Sequence, residues 1–124
     1  MSSRIANLSV DAHDPYAQTL WWAQVLEDFT MPDDEQAPGD EECGLRGADG
    51  RWLLFLKVPE GKTVKNRQHF CLRPADRDRD AEVERLLALG ATLVADLREG
   101  PERGWAVLAD PEGNEFCVLR RPQA

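Results

Sequence analysis

The sequence predicts an α+β fold in which one pattern is used twice. Three observations predict it. The chain resembles itself at an offset of 62 residues, half of its 124. Each half opens with an alternating strand followed by residues at helical spacing, and each half closes with strands joined through turn residues.

In the opening strands, Asn7-Leu8-Ser9-Val10 falls on His69-Phe70-Cys71-Leu72, and Asp14 falls on Asp76. Strand alternation sends Leu8, Val10, Phe70 and Leu72 to one side of a sheet and Asn7, Ser9, His69 and Cys71 to the other. Apolar stripes at helical spacing follow, Leu20, Trp21, Trp22, Val25 and Leu26 in the first half and Val83, Leu86 and Leu87 in the second. Asp14-Pro15 supplies an N-cap acceptor with proline at the first helical position, Asp78 or Asp80 starts the second helix, and Gly90 stops it. Turns fall at Ala48-Asp49-Gly50 and at Asp110-Pro111-Glu112-Gly113-Asn114. The same offset lays Trp52–Leu56 on Asn114–Val118, so Leu54, Leu56, Phe116 and Val118 are expected to face the helices, and Phe55 and Cys117 the opposite side. Two modules result, residues 4–58 and 67–121, with Pro59–Arg67 between them. Helices cover one face of each sheet, so function is expected on the other, with residues 7, 9, 53, 55, 69, 71, 115 and 117.

Composition narrows the class of protein. A hydrophobic content of 42% with 31% charged residues describes a globular domain, and the longest apolar stretch, Trp52–Leu56, is far too short to span a bilayer. Met1–Val10 lacks the apolar core of a secretory signal, so a cytoplasmic location is expected, with Cys43, Cys71 and Cys117 as reduced thiols. The net charge of −8 is lopsided: residues 1–50 carry 11 acids against Arg4 and Arg46, and residues 51–124 carry 12 acids against 13 bases. Such a surface repels phosphate backbones and attracts small cations, so no nucleic-acid partner is expected, and the shortness of the apolar stretches leaves no membrane partner expected. Six of the acids lie in Met31–Glu42, interrupted by Pro32, Pro38 and Gly39, which reads as a mobile acidic loop.

Three segments, Asp110-Pro111-Glu112-Gly113-Asn114-Glu115-Phe116, Lys65-Asn66-Arg67-Gln68-His69 and Trp21-Trp22-Ala23-Gln24-Val25-Leu26, resemble in order and spacing the vicinal oxygen chelate superfamily. That superfamily includes glyoxalase I, bleomycin-resistance proteins and extradiol dioxygenases, and together the segments are similar to its glyoxalase-like subgroup. The resemblance implies two tandem βαβββ modules whose curved mixed sheets form a cupped cavity, often completed by a homodimer. It also implies metal-ligand positions at Asn7, Phe55, His69 and Cys117.

Only His69 is a usual ligand there. Phe55 has no lone pair, Asn7 offers a neutral carbonyl, and Cys117 is soft. No metal or other cofactor is therefore expected. The alternative is a divalent Zn, Mn, Fe or Ni ion held by His69, Glu115 and Cys117, with Cys71 as a further zinc-type donor. Against it, same-face neighbours stand about 7 Å apart along one strand. The expected ligand-binding residues are Asn7, Ser9, Trp52, Phe55, His69, Cys71, Trp105, Glu115 and Cys117, with His69 and Glu115 as candidate acid or base. Trp52 and Trp105 offer stacking surfaces, while Trp21 and Trp22 fall at core or dimer-contact positions. The expected function is binding of a small cationic or aromatic molecule, by resemblance an antibiotic. A metal-dependent lyase, isomerase or dioxygenase of the glyoxalase type is the alternative.

Overall fold

The computed structural model describes residues 2–32 and 35–122, so Asp33 and Asp34 of the acidic segment lie outside the described residues. The chain divides into two compact units, Met1–Gly61 and Lys62–Ala124. The first is built as β1 (Asn7–Ala12), α1 (Pro15–Val25), β2 (Phe29–Thr30), β3 (Glu42–Gly47) and β4 (Trp52–Lys57). The second repeats the order as β5 (Phe70–Leu72), α2 (Arg79–Ala88), β6 (Thr92–Asp96), β7 (Ala106–Ala109) and β8 (Glu115–Val118). Each unit is one βαβββ module with a four-stranded mixed sheet, in the orders β1-β4-β3-β2 and β5-β8-β7-β6. The opening strand of each pairs in parallel with the closing strand, and the other pairings are antiparallel.

The helix signals act as the sequence dictates. The Asp14 carboxylate accepts from Ala17 N at 3.1 Å with Pro15 at the first helical position, and Asp78 accepts from Ala81 N at 2.8 Å. At the end of α2, Gly90 N donates to Leu87 O and Ala91 N to Leu86 O, the paired bonds of a Schellman stop. The stripe on α1 differs from the expected one. Pro15, Gln18, Thr19, Trp22 and Val25 are buried, whereas Leu20 is 40% exposed. The polar Gln18 and Thr19 sit at i, i+3, i+4 spacing and are carried into the core with the apolar residues. Thr19 Oγ1 has no hydrogen-bond partner among the described residues. Trp21 and Trp22 meet edge to face at 5.1 Å and are 7% and 2% exposed, so this chain's own core covers both and the pair gives no support to a dimer.

The closing strand of the first module differs from the expected one, whereas in the second Phe116 and Val118, 1% and 0% exposed, are buried as expected. In the first module Leu53 and Phe55, 2% and 0% exposed, join the buried Cys43 and Leu45, and Leu54 and Leu56 take the other face. The turn glycines Gly50 and Gly113 hold equivalent left-handed conformations, φ 88° and 92°, and stand 63 residues apart, not 62. One extra residue in the second module therefore shifts the strand phase, and a one-residue shift exchanges the two faces. Leu53 and Phe55 correspond to Phe116 and Val118, while Trp52 and Leu54 correspond to Glu115 and Cys117.

The second module has a buried cation that the helical pattern does not announce. Arg79, 3% exposed, donates to Gly100 O at 2.7 Å and Arg103 O at 2.8 Å, which ties the loop before β7 to α2. Its position in the first turn of α2 places the guanidinium where three backbone carbonyls converge.

Candidate functional site

The open face of the first sheet carries Asn7 and Ser9 from β1, Trp52 and Leu54 from β4, and Glu42, Gly44 and Arg46 from β3, since register partners share a face. Here lies a cavity of about 350 Å³, lined by Asn7, Trp52, Leu54 and Gly44 and rimmed by Glu35, Asp40 and Glu42. Gly44 is required at its floor. A Cβ there would stand 2.6 Å from Leu54 Cδ2 and 2.8 Å from Leu53 O. The acidic segment reaches this floor through Gln36, whose amide donates to Gly44 O at 3.0 Å and accepts from Gly44 N at 2.6 Å. A side-chain amide thus pairs with the strand edge that β2 is too short to cover. Asp40 closes the turn by accepting from Ala37 N at 3.0 Å. The described part of the loop is therefore anchored to the sheet, where a mobile connection was expected. The negative field is felt nearby: burial first, then the charges of Asp40, Asp14 and Glu42, push the Cys43 thiol up. Trp52 already holds one cation, the Arg46 guanidinium, 5.8 Å from its ring centroid.

The open face of the second sheet carries His69, Cys71 and Cys117. Cys71 and Cys117 are register partners across β5 and β8, and His69 immediately precedes β5. His69 Nδ1 lies 3.9 Å from Cys71 Sγ and 3.8 Å from Cys117 Sγ, and the three donor atoms lie within 4.8 Å of one another. The about 7 Å spacing along a strand did not foresee this convergence: the His69 ring reaches Cys71 two residues on and Cys117 on the adjacent strand. Burial first, then the neighbouring Cys71, raises the Cys117 thiol, with Lys65 opposing.

Glu115 is not in that cluster. Its carboxylate accepts from Lys62 Nζ at 3.0 Å and from Asn66 N at 3.1 Å, anchoring the segment that leads to β5. Burial alone would raise its pKa; the Lys62 and Asn66 hydrogen bonds outweigh burial and hold it below the ordinary 4.5. A carboxyl group with a depressed folded pKa contributes stability above its unfolded pKa and loses it as pH falls through the folded one. Thermal melts should therefore show an acid-side loss that begins as pH drops below about 5 and that is diminished in Glu115→Gln. Identical acid limbs in the two proteins would refute this role.

Of the remaining expected ligand-binding residues, Phe55 is fully buried and belongs to the core, so it is withdrawn. Leu54 takes the position that Phe55 was expected to hold. Ser9 is exposed on β1 outside the cavity lining, and Trp105 is 42% exposed ahead of β7. The positions at which the resemblance implies a metal thus hold Asn7, Leu54, His69 and Cys117: an amide, a hydrocarbon, an imidazole and a thiol. This set does not fit a hard cation such as Mn(II), which takes carboxylate, carbonyl and imidazole donors.

Solved structures place this architecture among known folds. A glyoxalase/bleomycin resistance protein/dioxygenase family enzyme from Burkholderia phytofirmans PsJN superposes with a TM-score of 0.68 at 22% identity, covering 94% of this chain and 97% of that one. A mutant of the fosfomycin resistance protein FosX from Listeria monocytogenes, complexed with Mn(II) and 1S,2S-dihydroxypropylphosphonic acid, gives 0.68 at 16% identity over 98% and 93% of the chains. The oxidase ChaP-H2 gives 0.63 at 22% identity over 100% and 98%. These likenesses define the class, the vicinal oxygen chelate fold of two tandem βαβββ modules. No curated protein matches the chain significantly. Residues 7–119 match the profile of the glyoxalase-like domain, and the chain belongs to that family.

Proposed function

We propose that this glyoxalase-like chain binds a small cationic, aromatic molecule on the open face of its first module, acting by sequestration in the cytoplasm. The observation that carries the reading is the cavity of about 350 Å³ between Trp52 and the carboxylates of Glu35, Asp40 and Glu42. Its volume is that of a small-ligand site. Trp52 supplies a stacking face, Asn7 a hydrogen-bonding amide, and the three acids a field that concentrates cations. An antibiotic of this chemistry is the concrete version that the family suggests. The glyoxalase-type reaction finds less support, because the donor atoms at the implied metal positions do not suit a hard cation. Arrangement as a homodimer is retained from the family and is checked by sedimentation, which should show a species of twice 14.0 kDa.

Calorimetric titration tests the binding. An aromatic diamidine should bind saturably in the micromolar range, about −8 kcal/mol, and its uncharged diamide analogue at least tenfold more weakly. Equal affinity for both, or no saturation with either, would contradict the proposal. No helix among the described residues is long and apolar enough to cross a membrane.

A further inference from the structure

The second module carries donor atoms that the cation-binding reading leaves unused. We propose that His69, Cys71 and Cys117 form a site for a thiophilic divalent cation of the zinc type, with one coordination position left open to solvent. This site uses no residue of the first module's cavity; it shares His69 and Cys117 with the positions the family resemblance implies and departs from them in its third donor and in its softness. Cys71 is not among the implied positions, and all three donors come from one module.

The geometry carries the assignment. Zinc bonds of about 2.3 Å to sulfur and about 2.0 Å to nitrogen set tetrahedral donor-to-donor edges of about 3.5–3.8 Å. The two Nδ1-to-sulfur separations are 3.8 and 3.9 Å, within a few tenths of an ångström of a coordinating edge, and the three donor atoms all lie within 4.8 Å of one another. Parallel pairing of β5 with β8 fixes Cys71 opposite Cys117. His69 precedes the strand and turns its ring to both sulfurs. The donor chemistry is one imidazole and two thiolates, a soft set suited to zinc and unsuited to Mg, Ca or Mn. Cys117 is 7% exposed while His69 and Cys71 are exposed, which places the ion at the surface with room for a fourth, exchangeable ligand. On binding, each thiol releases its proton to solvent and two sulfur-to-metal bonds form, with no change of oxidation state.

The test uses the full chain with its thiols kept reduced and Co(II) as the spectroscopic probe. One equivalent per chain should give the thiolate-to-cobalt charge-transfer band and the visible bands of a tetrahedral site, and one equivalent of Zn(II) should abolish both. Cys71→Ser, at an exposed position, and His69→Ala should each lower Co(II) affinity at least 100-fold, while Cys43→Ala leaves it unchanged. Cys117→Ser should do the same as Cys71→Ser, and circular dichroism confirms which variants are folded. Absence of the charge-transfer band in the unmodified protein would overturn the assignment, as would an unchanged Co(II) affinity in folded Cys71→Ser. Because the diamidine titration reads the other module, the two proposals can fail separately.

Discussion

Phe55→Ala should cost about 3–5 kcal/mol of folding stability, the range of a buried aromatic truncated to alanine. Phe55 is fully buried, pairs in register with Val10 and Cys43, and stands beside Leu45 and Leu53, both at 2% exposure or less. Its removal opens a cavity in the core under α1, which packs on β3 and β4. Leu54→Ala, one residue earlier, should cost only about 1–2 kcal/mol, because part of that side chain already meets solvent. Urea unfolding measures both. The two effects have the opposite order if Phe55 is a wall residue of the open face, so the comparison decides which phase the closing strand adopts. Comparable losses, or a larger loss for Leu54, would refute the assignment of faces made here.

Neutralising the cavity rim has the second large effect, on binding. Asp40→Asn combined with Glu42→Gln should weaken the aromatic diamidine about tenfold, since each carboxylate near the surface contributes roughly 0.5–1 kcal/mol to a nearby cation. The wild-type affinity should fall as ionic strength rises, and the double variant should be much less sensitive to salt. Trp52→Ala should weaken binding by a similar factor without altering the salt dependence, because stacking is not screened as surface charges are. Gln36 and Gly44 remain intact in the double variant, so the loop keeps its attachment to β3. Unchanged affinity in both variants would place the ligand elsewhere.

The sequence made the architecture legible because its signals were local. Asp14-Pro15 and Asp78 cap helices through their own side chains, and alternation in Leu8, Val10, Phe70 and Leu72 needs no tertiary information. The closing strand of the first module takes the opposite phase to the one a single offset of 62 predicts, because one residue is inserted between the two strand pairs, while the phase of Phe116 and Val118 is as predicted. The glycines Gly50 and Gly113, which must both adopt positive φ, held the signal that fixes the phase. The site was legible only in part. His69, Cys71 and Cys117 were each identifiable, yet their convergence depends on the register between β5 and β8, which no spacing along the chain encodes. Glu115 has the chemistry of a ligand but is engaged by Lys62, 53 residues away in sequence. The pairing of the Gln36 amide with the β3 edge and the anchoring of a loop by Arg79 are side-chain contacts to backbone groups, and composition gives no sign of either.

Amide chemical-shift mapping of the aromatic diamidine on the isotope-labelled chain tests the central claim most directly. Saturable shifts are expected to concentrate at Asn7, Gln36, Asp40, Glu42, Gly44 and Trp52, the residues around the first module's cavity. Saturable shifts confined to the second module, or none at all, would contradict that claim.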